Sequence, residues 1–254
     1  MWHYTSFVAL QSILASQKFW LSDMTQVNDR SELTYFADVL RPIIVRKSIP
    51  EDVKARFLRD TKMFGFGDAW FGYVASFCRS ADRLGQWERY ADRGEGIAIS
   101  FDCDLLLNGG APHHYATVGL SYNREEQSRQ TERLIDYAIQ LKRVLAISER
   151  DRVEFWFEVT MYLIHCAVRC KNPDFAEEEE VRVVLLSTDR ADAKSRDDQN
   201  GGIRHYVEAA VPFSAINCLM IGPRSSLTIP QIRHLLAASG LDHVPVTRSD
   251  IPLR

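Results

Sequence analysis

The sequence predicts an α+β fold with helices flanking a sheet, and three observations carry that reading. Strand-like runs at Tyr73–Ser80 and Gly96–Phe101 enclose a short helical segment, Gly85–Ala91, and glycine delimits the second strand. Helical spacing then extends over Glu125–Leu145 and Asp151–Cys170, where Phe155, Trp156, Val159, Leu163 and Cys166 make a broad apolar face. Glu180–Leu186 alternates, with Val181, Val183 and Leu185 on one face and Glu180, Arg182 and Val184 on the other, as a half-buried strand does.

The remaining elements follow in order. His3-Tyr4-Thr5 sits in a short strand or turn just ahead of a helix over Ser6–Ser16, where Phe7, Leu10, Ile13 and Leu14 keep helical spacing behind a serine that can cap. A turn is expected at Leu21-Ser22-Asp23, then a polar loop carrying Asn28-Asp29, then a helix over Glu32–Leu40 that Pro42 ends or bends. The Asp-, Arg-, Ser- and Gly-rich segment Thr188–Gly202 reads as a solvated surface loop. Tyr206–Val211 and Asn217–Ile221 read as strands, Gly222-Pro223 breaks the chain, and Ile229–Ala238 is a closing helix. No repeat or linker interrupts residues 1–254, so a single domain is expected.

Composition narrows the function. With 46% hydrophobic residues over 254 positions, the chain can bury a real core. A net charge of -3 and a pI near 6.2 give no general basic footprint for nucleic acid, although a local contact stays open. No apolar run reaches membrane-helix length and Met1-Trp2-His3-Tyr4 lacks a signal-peptide pattern, so no membrane partner and a cytoplasmic location are expected. Five cysteines, an odd count, argue against a disulfide framework; Cys166 and Cys170 read as small buried hydrophobes, and no metal-ligand set is completed.

Three clusters can carry chemistry. In His3-Tyr4-Thr5 the spacing of two places an imidazole and a hydroxyl on one side of a strand. Ser76-Phe77-Cys78-Arg79-Ser80, followed by Trp87 and Tyr90, sets a serine at a strand end against two aromatics three apart on a helix. That arrangement makes a slot for a planar heteroaromatic ring, or else packs the helix onto the sheet. The run Glu177-Glu178-Glu179-Glu180 leads into a strand, where Glu178, Glu180 and Arg182 would line up on the non-core side. Aligned carboxylates hold ribose hydroxyls and stabilise positive charge at a sugar carbon. The alternative register, Glu177 and Glu179, would put the acids on the face that Val181 and Val183 commit to the core.

The string Trp2-His3-Tyr4-Thr5-Ser6, Ile13-Leu14, Trp20-Leu21-Ser22-Asp23, Asn28-Asp29, Ser76-Phe77, Trp87, Tyr90-Ala91, Gly96, Phe101-Asp102, Glu178, Glu180 and Arg182 resembles the bacterial family catalogued as domain of unknown function 2971. That family is in turn similar to the ADP-ribosyltransferases, a split, mixed β-sandwich whose cleft binds NAD. The resemblance implies that His3 binds a ribose hydroxyl of NAD together with Thr5, while Tyr4 stands where many relatives carry glycine to clamp the nicotinamide carboxamide. Ser80, Trp87 and Tyr90 would cradle nicotinamide, Glu180 would be the essential acid, and Glu178 its E-x-E companion. The implied function is an NAD-dependent ADP-ribosyltransferase or NAD glycohydrolase acting as a bacterial toxin or anti-phage effector. Its partners would be NAD, a macromolecular acceptor, protein favoured over nucleic acid by the pI, and an inhibitor or immunity protein. A catalytically inactive nucleotide- or partner-binding module, and a hydrolase using His3 and Glu180 as acid and base, are the competing readings.

Overall fold

Local chemistry starts the first elements of the computed structural model, which describes residues 1–26, 31–62, 71–108, 116–144, 149–187, 192–197 and 202–252. β1 (Trp2–Thr5) runs into Ser6, whose hydroxyl accepts the Ala9 amide at 3.0 Å and starts α1 (Phe7–Ser16). Gln17, at φ 54°, ends that helix in the left-handed region and sends the chain into β2 (Lys18–Asp23). β2 replaces the turn expected at Leu21–Asp23: Phe19, Leu21 and Asp23 are buried in alternation, and cross-strand pairing holds the segment extended. Asn28 and Asp29 lie outside the described residues.

α2 (Ser31–Arg46) passes through Pro42 instead of stopping there. Leu40, Ile43 and Ile44 bury together in one core, and that packing outweighs the ~3 kcal/mol of an interior proline. α3 (Glu51–Lys62), which the periodicity does not predict, joins the same core through Val53 and Phe57. β3 (Phe71–Cys78), α4 (Leu84–Tyr90) and β4 (Ile97–Phe101) give the expected strand, helix, strand order. α5 (Cys103–Asn108) and β5 (Ala116–Gly119) come next, both unforeseen, and then the long helices α6 (Arg124–Val144) and α7 (Glu149–Arg169). β6 (Glu180–Ser187), β7 (Lys194–Asp197), β8 (Ile203–Ala210), β9 (Ile216–Ile221), α8 (Ile229–Ala238) and β10 (Val246–Arg248) complete the described chain. β7 falls within the stretch expected to be loop; as an edge strand exposed along its length, it carries loop-like composition.

Among the described residues ten strands form one mixed sheet, ordered β10-β9-β4-β1-β3-β2-β8-β7, with β6 paired to β3 and to β5. β10 and β9 run parallel, while β1 is antiparallel to both β3 and β4. Two compact units emerge. One comprises Met1–Met24, Gly72–Val118 and Glu177–Arg254; the other comprises Thr25–Phe71 and Gly119–Ala176. Each is discontinuous in sequence, so no linker marks a boundary. In the second unit, Phe36, Phe57, Ile135, Phe155 and Leu163 anchor a helical core that includes Cys166 and Cys170. Burial pushes those two thiols up to about 11 and about 12, consistent with small buried hydrophobes.

Candidate functional site

The first unit forks at β3. Cys78 of β3 pairs with Trp2 of β1, whereas Val74 and Tyr73 pair with Ser22 and Asp23 of β2, so Ser76 lies between the two partnerships. There the His3 Nδ1 donates to the Ser76 carbonyl oxygen at 3.1 Å. A carbonyl only accepts, so this bond puts the proton on Nδ1 and makes Nε2 the acceptor of the neutral ring. Burial holds the His3 imidazole below its ordinary value, opposed by that same bond. The Ser76 hydroxyl donates to Glu180 Oε1 at 2.6 Å. Arg182 grips the same carboxylate at two points, Nε to Oε1 at 2.7 Å and Nη2 to Oε2 at 3.2 Å. Glu180 and Arg182 are each only 5% exposed.

β6 is therefore not half-buried. Glu180, Arg182 and Val184 are as buried as Val183 and Leu185, so both faces of β6, an interior strand paired to β3 and β5, are covered. Nor does Glu178 share the strand with Glu180: it closes a 3-10 turn over Pro173–Glu178, and Glu179, at φ 45°, reverses the backbone before β6 begins. Three arginines serve the four acids of the run. Arg89 reaches Glu177 and, at 2.6 Å, the buried Glu178; Arg83 and the Ser80 hydroxyl both reach Glu179; Arg182 holds Glu180. The Tyr90 hydroxyl donates to Glu178 Oε1 at 3.4 Å. Glu178 and Glu180 are buried with their arginine partners, while Glu177 stays on the solvated face.

The expected residues divide accordingly. His3 meets Glu180 through Ser76; Ser80 and Tyr90 reach the acids next to it. The serine facing Glu180 is Ser76, not Ser80. Trp87 is fully buried: its ring meets Tyr4 edge-on at 4.9 Å and its Nε1 donates to Asp82 at 2.7 Å, so it packs α4 onto the sheet and offers no open stacking face. Tyr90 is 40% exposed. Tyr4 is likewise a core residue, its hydroxyl accepting the Arg83 amide at 3.2 Å and its phenol pushed by burial up to about 12. Thr5 is buried beside Gly96, where any Cβ would sit 2.3 Å from the Thr5 carbonyl oxygen. Arg83 and Arg89 are additions; two arginines on and beside a short helix, six residues apart, were the available signal. Among the described residues no group of three His, Cys, Asp or Glu side chains is placed to hold a metal, and no helix is long and apolar enough to cross a membrane.

Residues 86–183 match the model of a family described as "Protein of unknown function (DUF2971)". The DUF2971 stretch holds Trp87, Arg89, Tyr90, the acid run and Arg182; His3 and Ser76 lie before it. No curated protein and no solved structure matches the chain.

Proposed function

We propose that the chain is an NAD-dependent ADP-ribosyltransferase or NAD glycohydrolase, of the toxin or anti-phage kind that the sequence resemblance implies. One observation supports it above others: His3, Ser76 and Glu180, from three strands, are joined by consecutive hydrogen bonds where the sheet forks. Cleavage breaks the bond between ribose C1′ and nicotinamide, which leaves with the electron pair. A water or a macromolecular nucleophile then bonds to C1′ and loses its proton. The sugar carbon is cationic in between, so a preoriented carboxylate favours that state over the substrate. Glu180 takes this role, with Ser76 and Arg182 fixing its orientation before NAD arrives. His3 Nε2 accepts a ribose hydroxyl, Tyr90 stacks on the nicotinamide side, and Glu178, steadied by Arg89, orients the acceptor.

The grip of Arg182 on Glu180 favours a second reading, a module that binds NAD or a partner without turnover, since a carboxylate already neutralised has less charge to lend the sugar. Nicotinamide release from NAD separates the two. The first expects release that Glu180→Gln lowers by roughly two to three orders of magnitude and that Ser76→Ala also lowers, with NAD affinity retained. NAD binding with no release, in the presence or absence of cell lysate as acceptor, leaves only the second.

A further inference from the structure

β2, β8 and β7 lie side by side at one end of the strand order. Trp20 and Lys18 of β2 stand opposite Glu208 and Ala210 of β8, while Tyr206 and Arg204 of β8 stand opposite Lys194 and Arg196 of β7. Alternate residues share a face, so one face of this ladder gathers Lys18, Lys194, Arg196 and Arg204 around Trp20 and Tyr206. Glu208, a carboxylate on this face, is shared by Lys18 at 2.8 Å and Lys194 at 2.9 Å. Those two ammonium groups hold Glu208 below its ordinary value, as a locally positive surface should. Trp20 is 44% exposed, its ring 4.3 Å from that of Tyr206, with the Arg196 guanidinium 4.9 Å over it. Every residue of β7 is exposed. Lys18, Lys194, Arg196 and Arg204 gathered around two aromatic rings stand out on a chain whose net charge is -3.

We infer that this strip docks a single-stranded nucleic acid. Phosphates sit on Lys18, Lys194, Arg196 and Arg204, and a base stacks in the plane set by Trp20 and Arg196, the combination of cations and flat rings that single strands require. An acidic protein surface would be met by the cations alone and leaves the tryptophan unexplained. β2 also pairs with β3 at Ser22 and Val74, two residues from Ser76, so the strip and the His3–Ser76–Glu180 cluster ride on adjacent strands. On the proposed NAD chemistry, and resting on it in this respect only, the docked strand is the acceptor of ADP-ribose.

Fluorescence anisotropy with a labelled oligodeoxythymidine of about 12 nucleotides, a length within the site sizes of single-strand binders, tests docking without NAD. Binding should weaken with salt at a log-log slope of about -2 to -3, as expected for three or four phosphate contacts by a single strand. Trp20→Ala should weaken it roughly 5- to 150-fold, the ~1–3 kcal/mol of base stacking converted at 1.4 kcal/mol per tenfold. Trp20→Phe should restore most of the loss, and Arg196→Glu should weaken binding about tenfold or more. No binding at about 50 mM salt, affinities of Trp20→Ala and Arg196→Glu within about twofold of wild type, or equal competition by a polyglutamate peptide overturns the assignment. Nicotinamide release without nucleic acid is read separately, so loss of docking leaves the NAD reading standing and loss of NAD cleavage leaves docking standing.

Discussion

Glu180 and Arg182 form a two-point pair with side chains each 6% exposed, and a charge so buried tolerates its partner's loss poorly. Glu180→Gln and Arg182→Met should each cost about 3–5 kcal/mol, because each strands or unbalances a buried group, while the double variant should cost far less than their sum. Urea titration of the four proteins measures this, and strictly additive losses would show the pair to be solvated. Activity of Glu180→Gln must accordingly be read at a temperature where that variant is folded. His3 provides a pH test. Its folded value lies below the ordinary 6.5, so the unfolded chain binds the proton more readily, and stability is complete above about 6.5 and falls as pH drops through the folded value. His165, lowered by burial, contributes in the same direction, so the test is the difference between wild type and His3→Gln. The variant should lose part of the acid slope between about pH 6.5 and 5; identical slopes would place His3 in water. Neither property is legible in the sequence: Glu180 and Arg182 are visible as neighbours on one strand face, but that this face is buried as well as the valine face is a property of the assembled fold.

At the scale of elements, α4 is held by its N-terminal approach and not by a side-chain cap. Asp82, at φ 55°, accepts the Trp87 Nε1, the Ser249 hydroxyl and, at 3.0 Å, the Asp250 amide, tying the helix to the last described strand's exit. Trp87→Ala should cost about 3–5 kcal/mol as a fully buried large-to-small change, and Asp82→Ala about 1–3 kcal/mol from the donors it leaves unmatched. Tyr90→Ala, on the exposed side, should cost about 1 kcal/mol or less. Melting temperatures decide: equal losses at Trp87 and Tyr90 would mean that both pack. Gly96→Ala should be severe, since its Cβ meets backbone oxygen that no rotamer can move. Helical spacing correctly located α4, yet the same spacing suggested that residues three apart share one environment. Three positions are about 300° of turn, leaving about 60° between the two rings, enough for one to enter the core and the other to face out.

For the whole molecule, β1 is an interior strand between β4 and β3 and brings His3 to the fork. Deleting residues 1–5 should therefore open two strand edges and destroy the fold of the first unit, seen as loss of cooperative melting and rapid proteolysis; a truncated chain that still melts cooperatively near the wild-type temperature would refute this. By itself the sequence determined the α+β class, the long helices α6 and α7, the cap at Ser6 and the closing helix at Ile229–Ala238, because periodicity and capping act within a few residues. Tertiary structure alone decided that α2 crosses Pro42, that the chain divides into two interleaved units, and that Ser76, not Ser80, faces Glu180. The Ser76–Glu180 bond joins residues 104 apart and the His3–Ser76 bond residues 73 apart. Such partners are set by which strands pair and in what register, a property of the assembled sheet that no local pattern of side chains encodes.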